Sequence, residues 1–142
     1  MIRDRNLDPS ADCFKQSVVL NLNAGASLAG VEHGAMRMPF TGKILSAYVR
    51  ASTLTDADDS VRVDLHKNGV SILGATVDPV AAATTTSLAP TTTAFVAGDV
   101  ISVVLTTGVG DALVGAVTLT YRPYLGAQER FAAKAAGISI TP

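Results

Sequence analysis

VRVDLHKNGVSIL, residues 61–73, reads as two strands joined by a tight turn. Asn68-Gly69 is the pair that a type I′ turn selects, because both central residues of that turn need positive φ. With those two as the loop, Lys67 faces Val70, His66 faces Ser71, Leu65 faces Ile72 and Val63 faces Gly74. The register then sorts the side chains. Val61, Val63, Leu65 and Ile72 fall on one face, and Arg62, Asp64, His66 and Ser71 on the other. A slip of one residue would send the charges into the core. One dry face and one wet face is the pattern of an antiparallel sheet packed on one side.

The rest of the chain repeats this grammar. SVVLNLN (17–23) alternates Val18, Leu20 and Leu22 with Val19, Asn21 and Asn23. Residues 24–36 are rich in Gly and Ala and read as a loop, and MRMPF (36–40) as a short strand that Pro39 ends or places at an edge. KILSAYVRAST (43–53) is a strand with Leu45, Ala47 and Val49 on one face and Ile44, Ser46, Tyr48 and Arg50 on the other. Residues 81–95 hold a short strand near Thr85–Leu88, broken at Pro90. VAGDV turns at Gly98 into VISVVLTTG (100–108), which is apolar enough to be buried on both faces. In LVGAVTLTYRP (113–123), Val117, Leu119 and Tyr121 point inward, and Thr118, Thr120 and Arg122 outward. Only GAQERFAAKAAG (126–137) has helical character, with Gly137 suited to a C-cap. Short strands at regular spacing, with turn signals between them, indicate an all-β, antiparallel, jelly-roll-like β-sandwich. The expected divisions are an N-terminal arm (1–16), the sandwich (17–123) and a C-terminal tail (124–142). The expected core is Leu20, Leu45, Val49, Val63, Leu65, Ile72, Ile101, Val103, Leu105, Val117, Leu119 and Tyr121.

Composition narrows the function classes. The 142 residues are 48% hydrophobic but only 5% aromatic, without Trp, so the core must be built from Val, Leu, Ile and Ala. Charged residues are 16%, below the usual quarter of a soluble domain, which fits either a surface partly covered by a partner or a tightly packed β-protein with a Thr-rich surface. The net charge is −1 and the Lys and Arg residues are scattered, so nucleic-acid binding is not expected. Cys13 is the single cysteine and leaves no intrachain disulfide and no CxxC metal spacing. The N-terminus is charged and lacks the apolar stretch of a signal peptide, and no apolar run is long enough to span a membrane.

Chemistry-bearing residues are few. His33 and His66 are the neutral-pH base supply. His66, Asp64 and Ser71 share an open sheet face, but a nucleophilic triad needs a cleft and an oxyanion hole that nothing here signals. His33 falls in the Gly-rich loop and is expected in solvent. Asp56, Asp58 and Asp59 sit in DADDS without the spacing of a calcium loop, and no metal or other cofactor is expected. Gly25, Gly30 and Gly34 are too widely spaced for a phosphate loop. The triplets Thr84–Thr86 and Thr91–Thr93 read as β-formers rather than as a glycan surface.

In order, VRVDLHKNGVSIL, VAGDVISVVL and GAVTLTYRPY resemble the small β-sandwich proteins of tailed-bacteriophage virions, notably capsid decoration (cement) proteins, over about residues 43–124. The resemblance implies a non-enzymatic structural protein on the exterior of a capsid, assembled in a host cytoplasm. It implies a homotrimer that binds and stabilises the shell of major capsid protein. The alternative is a receptor- or carbohydrate-binding module of a phage fibre or tail. Such modules grip sugars with exposed aromatics, and Tyr48, Tyr124 and Phe131 are those available. The expected subunit or capsid interface is the apolar set outside the sandwich: Phe14, Tyr124, Leu125, Phe131, Ile138 and Ile140. In the tail, Ile138 and Ile140 point the same way, as in a strand added to an exposed sheet edge, and the tail is expected to pack on a neighbouring subunit or on the shell rather than back on its own sandwich.

Overall fold

The computed structural model describes residues 15–24, 30–56, 60–79, 81–108 and 110–123. Most of the expected arm, Cys13, the helix expected over 126–137 and the whole tail lie outside the described residues. Among the described residues nine strands are present: β1 (Gln16–Ala24), β2 (Val31–Arg37), β3 (Gly42–Thr55), β4 (Arg62–Lys67), β5 (Val70–Ser71), β6 (Thr85–Leu88), β7 (Ala94–Phe95), β8 (Val100–Thr106) and β9 (Ala112–Pro123). They form two antiparallel sheets packed face to face, a β-sandwich. The first sheet has the order β1-β9-β3-β6, with β7 also on β3, and the second has the order β2-β8-β4-β5.

Pairing is nested. β4 pairs with β5, β3 with β6, β2 with β8 and β1 with β9, all antiparallel. The pattern is that of one long ribbon folded over, with the Asn68-Gly69 turn at its closed end, and it is consistent with the expected jelly-roll-like sandwich.

The hairpin keeps its register: His66 pairs with Ser71 and Lys67 with Val70. Asn68 and Gly69 have φ of 52° and 80°, both in the left-handed region. The pairing stops earlier than expected. Beyond the Ile72 N–H bond to the Leu65 carbonyl at 2.8 Å, the chain swings out, and Val63 exchanges backbone bonds with Val77 instead of Gly74. The Thr91 N–H and hydroxyl both donate to the Ile72 carbonyl, at 2.7 and 3.1 Å, and take over the end of β5.

Two expectations fail for the same physical reason. Leu45 was placed in the core, but it is 36% exposed, whereas Ile44 is buried. A β-bulge separates the pairs Ile44↔Tyr121 and Ser46↔Thr120, so Leu45 is the extra residue and the alternation restarts beyond it. Residues 24–36 were expected to be loop, but Val31–Arg37 is a strand, bulged between His33 and Ala35. Gly34, with φ of 36°, is the residue skipped in that pairing, and a Cβ there would stand 3.0 Å from the Leu20 Cβ. Glycine lets this corner of the two sheets close. Except for Leu45, the expected core residues are buried. At one end of the core, Phe40, Phe95 and Tyr121 form an aromatic cluster with centroids 5.8–6.2 Å apart.

Candidate interaction surfaces

The two outer faces of the sandwich differ in chemistry, and the difference follows from strand alternation. On the first sheet, pairing sets the outward residues in cross-strand rows. Ser17, Thr120 and Ser46 form one row, and Val19, Thr118, Tyr48 and Ser87 the next. Asn21, Ala116, Arg50 and Thr85 follow, then Asn23, Val114 and Thr53. The Ser17 and Thr120 hydroxyls lie 3.0 Å apart, which confirms that they share a side. In these four rows Arg50 is the one charged side chain. Val19 is 57% exposed and Tyr48 43%, with Val114 between a third and a half exposed. A second bulge, between Ala51 and Thr53, and the small residues Gly115 and Ala116 leave a shallow groove of about 340 Å³ beside Arg50.

The outer face of the second sheet carries Glu32, Arg37, Arg62, Asp64 and His66, a charged set of which Glu32 and Arg37 are exposed and the other three half-buried. Asp64, His66 and Ser71 do come together there. The Ser71 hydroxyl donates to Asp64 Oδ1 at 2.8 Å, and His66 Nε2 is 3.0 Å from Asp64 Oδ2. The carboxylate is thus the middle member. The serine hydroxyl points at an acid and not at the imidazole, so the set cannot pass a serine proton to histidine as a nucleophilic triad does. Ser102, the cross-strand neighbour of His66, is buried, and its hydroxyl has no partner among the described residues. His33, expected in solvent, lies half-buried on β2, and its Nε2 has no partner among the described residues.

An open groove of about 400 Å³ lies between the hairpin tip and the β7–β8 turn, floored by Phe95 and rimmed by Thr41, Lys67, Asn68, Val96 and Asp99. Its polar groups are committed to the fold. Lys67 Nζ donates to the Ala94 carbonyl at 3.1 Å and Asn68 Nδ2 to Asp99 Oδ1 at 2.8 Å. Asn68 Oδ1 accepts from the Val100 N–H at 2.9 Å, and Thr41 Oγ1 from the Ala97 N–H at 3.3 Å. The Val96 N–H and the Asn68 amide, helped by the Lys67 charge, hold the Asp99 carboxyl below its usual range against some desolvation. This rim stitches the turn to β8 and leaves little to recognise a ligand.

Of DADDS, Asp56 caps the turn, its Oδ1 accepting from the Ser60 and Val61 N–H groups at 2.8 and 3.2 Å. The Ser60 hydroxyl donates to the buried Asp111 at 2.6 Å. Among the described residues, no cluster of three His, Cys, Asp or Glu side chains suits a metal ion, and no helix is long and apolar enough to cross a membrane. Thr84 donates its hydroxyl to the Ala81 carbonyl and Thr91 to Ile72, so parts of both triplets serve the backbone. The expected interface residues Phe14, Tyr124, Leu125, Phe131, Ile138 and Ile140 all lie outside the described residues. The charge-poor rows on the outer face of the first sheet escaped the sequence reading. Its signal was the alternation of Val19, Asn21 and Asn23 and of Thr118 and Thr120, but their placement side by side depends on long-range pairing. Comparison with known proteins finds no match: no family model, no curated protein and no solved structure is significantly similar to the chain.

Proposed function

We propose that the chain is a non-enzymatic virion structural protein of the tailed-bacteriophage kind, a decoration protein that docks on the outside of a capsid shell of major capsid protein. The observation that carries this reading is the asymmetry of the sandwich. One outer face bears five charged or titratable side chains spread along its strands, whereas four consecutive rows of the other bear Arg50 alone with exposed Val19, Tyr48 and Val114, the cations Lys43 and Arg122 pairing across strands in the row at the end of the sheet. A face with hydroxyls, apolar groups and almost no charge is cheap to desolvate against a protein surface. The nested pairing supports a jelly-roll, a fold used widely in capsids.

Four strands at about 4.8 Å and eight residues at about 3.4 Å make the face roughly 500 Å². That is less than the ~800 Å² per partner of a standard stable interface. Three copies acting together exceed it, so a homotrimer would bind by avidity where one copy binds weakly. The tail beyond Pro123 is the segment assigned to holding the trimer. A fibre or tail module that binds sugar is the less favoured reading, because Tyr48 is the only aromatic ring offered by the four rows.

Cryo-electron microscopy of the virus that encodes the chain tests the proposal. Three-fold β-sandwich density on the outer surface of the head is expected. Density confined to a fibre or tail tip, or no copy in the particle, would overturn it. A chain ending at Pro123 should stay folded by circular dichroism and become monomeric. A truncated chain that remains trimeric would show that the tail does not hold the subunits together.

A further inference from the structure

The four rows of the proposed docking face hold one long cationic side chain, and its position is set by the fold. Arg50 lies on β3 between two bulges, one at Leu45 and one at Ser52. Its cross-strand neighbours are Ala116 on β9 and Thr85 on β6, neither of which reaches as far as a guanidinium. The groove beside it is lined by Ser52, Val114, Gly115, Ala116 and Thr118, without a carboxylate. Tyr48 stands two residues earlier on the same side of the same strand and is 43% exposed. Among the described residues, Asp56 accepts from the Ser60 and Val61 N–H groups and Asp111 from the Ser60 hydroxyl.

We infer that Tyr48 and Arg50 form the anchor of the docking face, and that the groove beside Arg50 receives an Asp or Glu side chain of the capsid partner, paired with the guanidinium. This deepens the decoration reading and rests on it. Three observations favour an acidic partner over other occupants. A second copy meeting this face across a two-fold axis would bring Arg50 towards Arg50 in a setting with no anion to offset them. A wholly apolar partner would bury the guanidinium unpaired, at a large desolvation cost. A carboxylate meets both demands, because the planar fork of arginine matches its two oxygens. Tyr beside Arg, ringed by small hydroxyl-bearing residues, is also the composition in which binding energy concentrates.

The test uses the full chain and shells of the encoding virus assembled without it, with binding read by co-sedimentation at several salt concentrations. Arg50→Gln should weaken binding at least about 30-fold and flatten its dependence on salt. Arg50→Lys should recover only part of the loss, since lysine keeps the charge but lacks the fork. Arg50→Glu should abolish binding, and all three variants should melt with the wild type. Wild-type affinity and salt dependence in Arg50→Gln and Arg50→Glu would overturn the inference and leave the decoration reading intact. A wild-type chain that binds no shell would overturn the decoration reading itself. Loss of oligomer mass or melting temperature in Arg50→Glu, with shell binding unchanged, would give the face to a second copy or to the chain's own tail, and also overturns the inference.

Discussion

Replacing Ile44 and Leu45 separately by alanine tests the bulge that reverses the plain alternation of β3. Ile44 is 4% exposed and packs in the core cluster, whereas Leu45 is 36% exposed. Ile→Ala removes three carbon groups at ~0.8 kcal/mol each, and the cavity left behind adds more, for about 2.5–4 kcal/mol in all. Leu45→Ala removes as many carbons, but from a side chain already in partial contact with water and without an enclosed cavity, so about 1 kcal/mol or less is expected. With a urea slope of about 2 kcal/mol per molar, Ile44→Ala should lower the unfolding midpoint by more than ~1 M and Leu45→Ala by less than ~0.5 M. The assay is equilibrium urea unfolding followed by circular dichroism, with equal slopes required for the comparison. Equal losses, or a larger loss at Leu45, would mean that the strand is not bulged there and that the register of β3 on β9 is wrong.

Gly115→Ala should be among the most damaging small substitutions, because a Cβ there would collide with the Arg50 carbonyl oxygen, and a loss of about 3 kcal/mol is expected by thermal or urea unfolding. Gly69→Val, at φ of +80°, should cost about 1–3 kcal/mol in the same assay. Asn68→Val should cost more than Gly69→Val, since it also strands the Val100 N–H and the Asp99 carboxylate that the amide serves, and an unchanged midpoint would place the turn elsewhere. Burial raises the Tyr121 hydroxyl above its ordinary 10.0, so its contribution to stability is complete below pH 10 and is lost as pH rises through the higher folded value. An alkaline titration of melting temperature should therefore fall above pH 10 in the wild type and fall less steeply in Tyr121→Phe.

Local chemistry was legible in the sequence wherever side-chain period and turn residues agreed. The Asn68-Gly69 turn carried its own register, and the inward sets of β1, β4, β8 and β9 followed from simple alternation. Leu45 and Gly34 mark where that logic ends. A bulge adds one residue without any composition of its own, and its position depends on the strand alongside, so Ile44 and Leu45 exchange places for reasons that lie on β9. The strand at Val31–Arg37 was hidden because Gly34 and Ala35 look like loop residues and are there to let two sheets approach. The docking face was illegible for a related reason. Val19, Thr118, Tyr48 and Ser87 come from four separate segments, and only the pairing of β1, β9, β3 and β6 makes them one surface.

The position of β9 has a consequence for how the protein is made. It is the last of the described strands in chain order, yet it is central in the first sheet, between β1 and β3. Gln16 meets its partner Tyr121 across nearly the whole domain. At roughly 5–20 residues per second, β1 waits on the order of 5–20 s after its own synthesis for that neighbour to be made. During the wait Val18, Leu20 and Leu22 have no sheet to enter, and long-range pairing of this kind closes slowly once it begins. A nascent chain stopped before Ala112 can form the hairpin at Asn68-Gly69, but its first sheet lacks the strand that joins the halves. Closure of the first sheet therefore waits on the synthesis of β9, with the apolar side of β1 in need of shelter until that strand arrives.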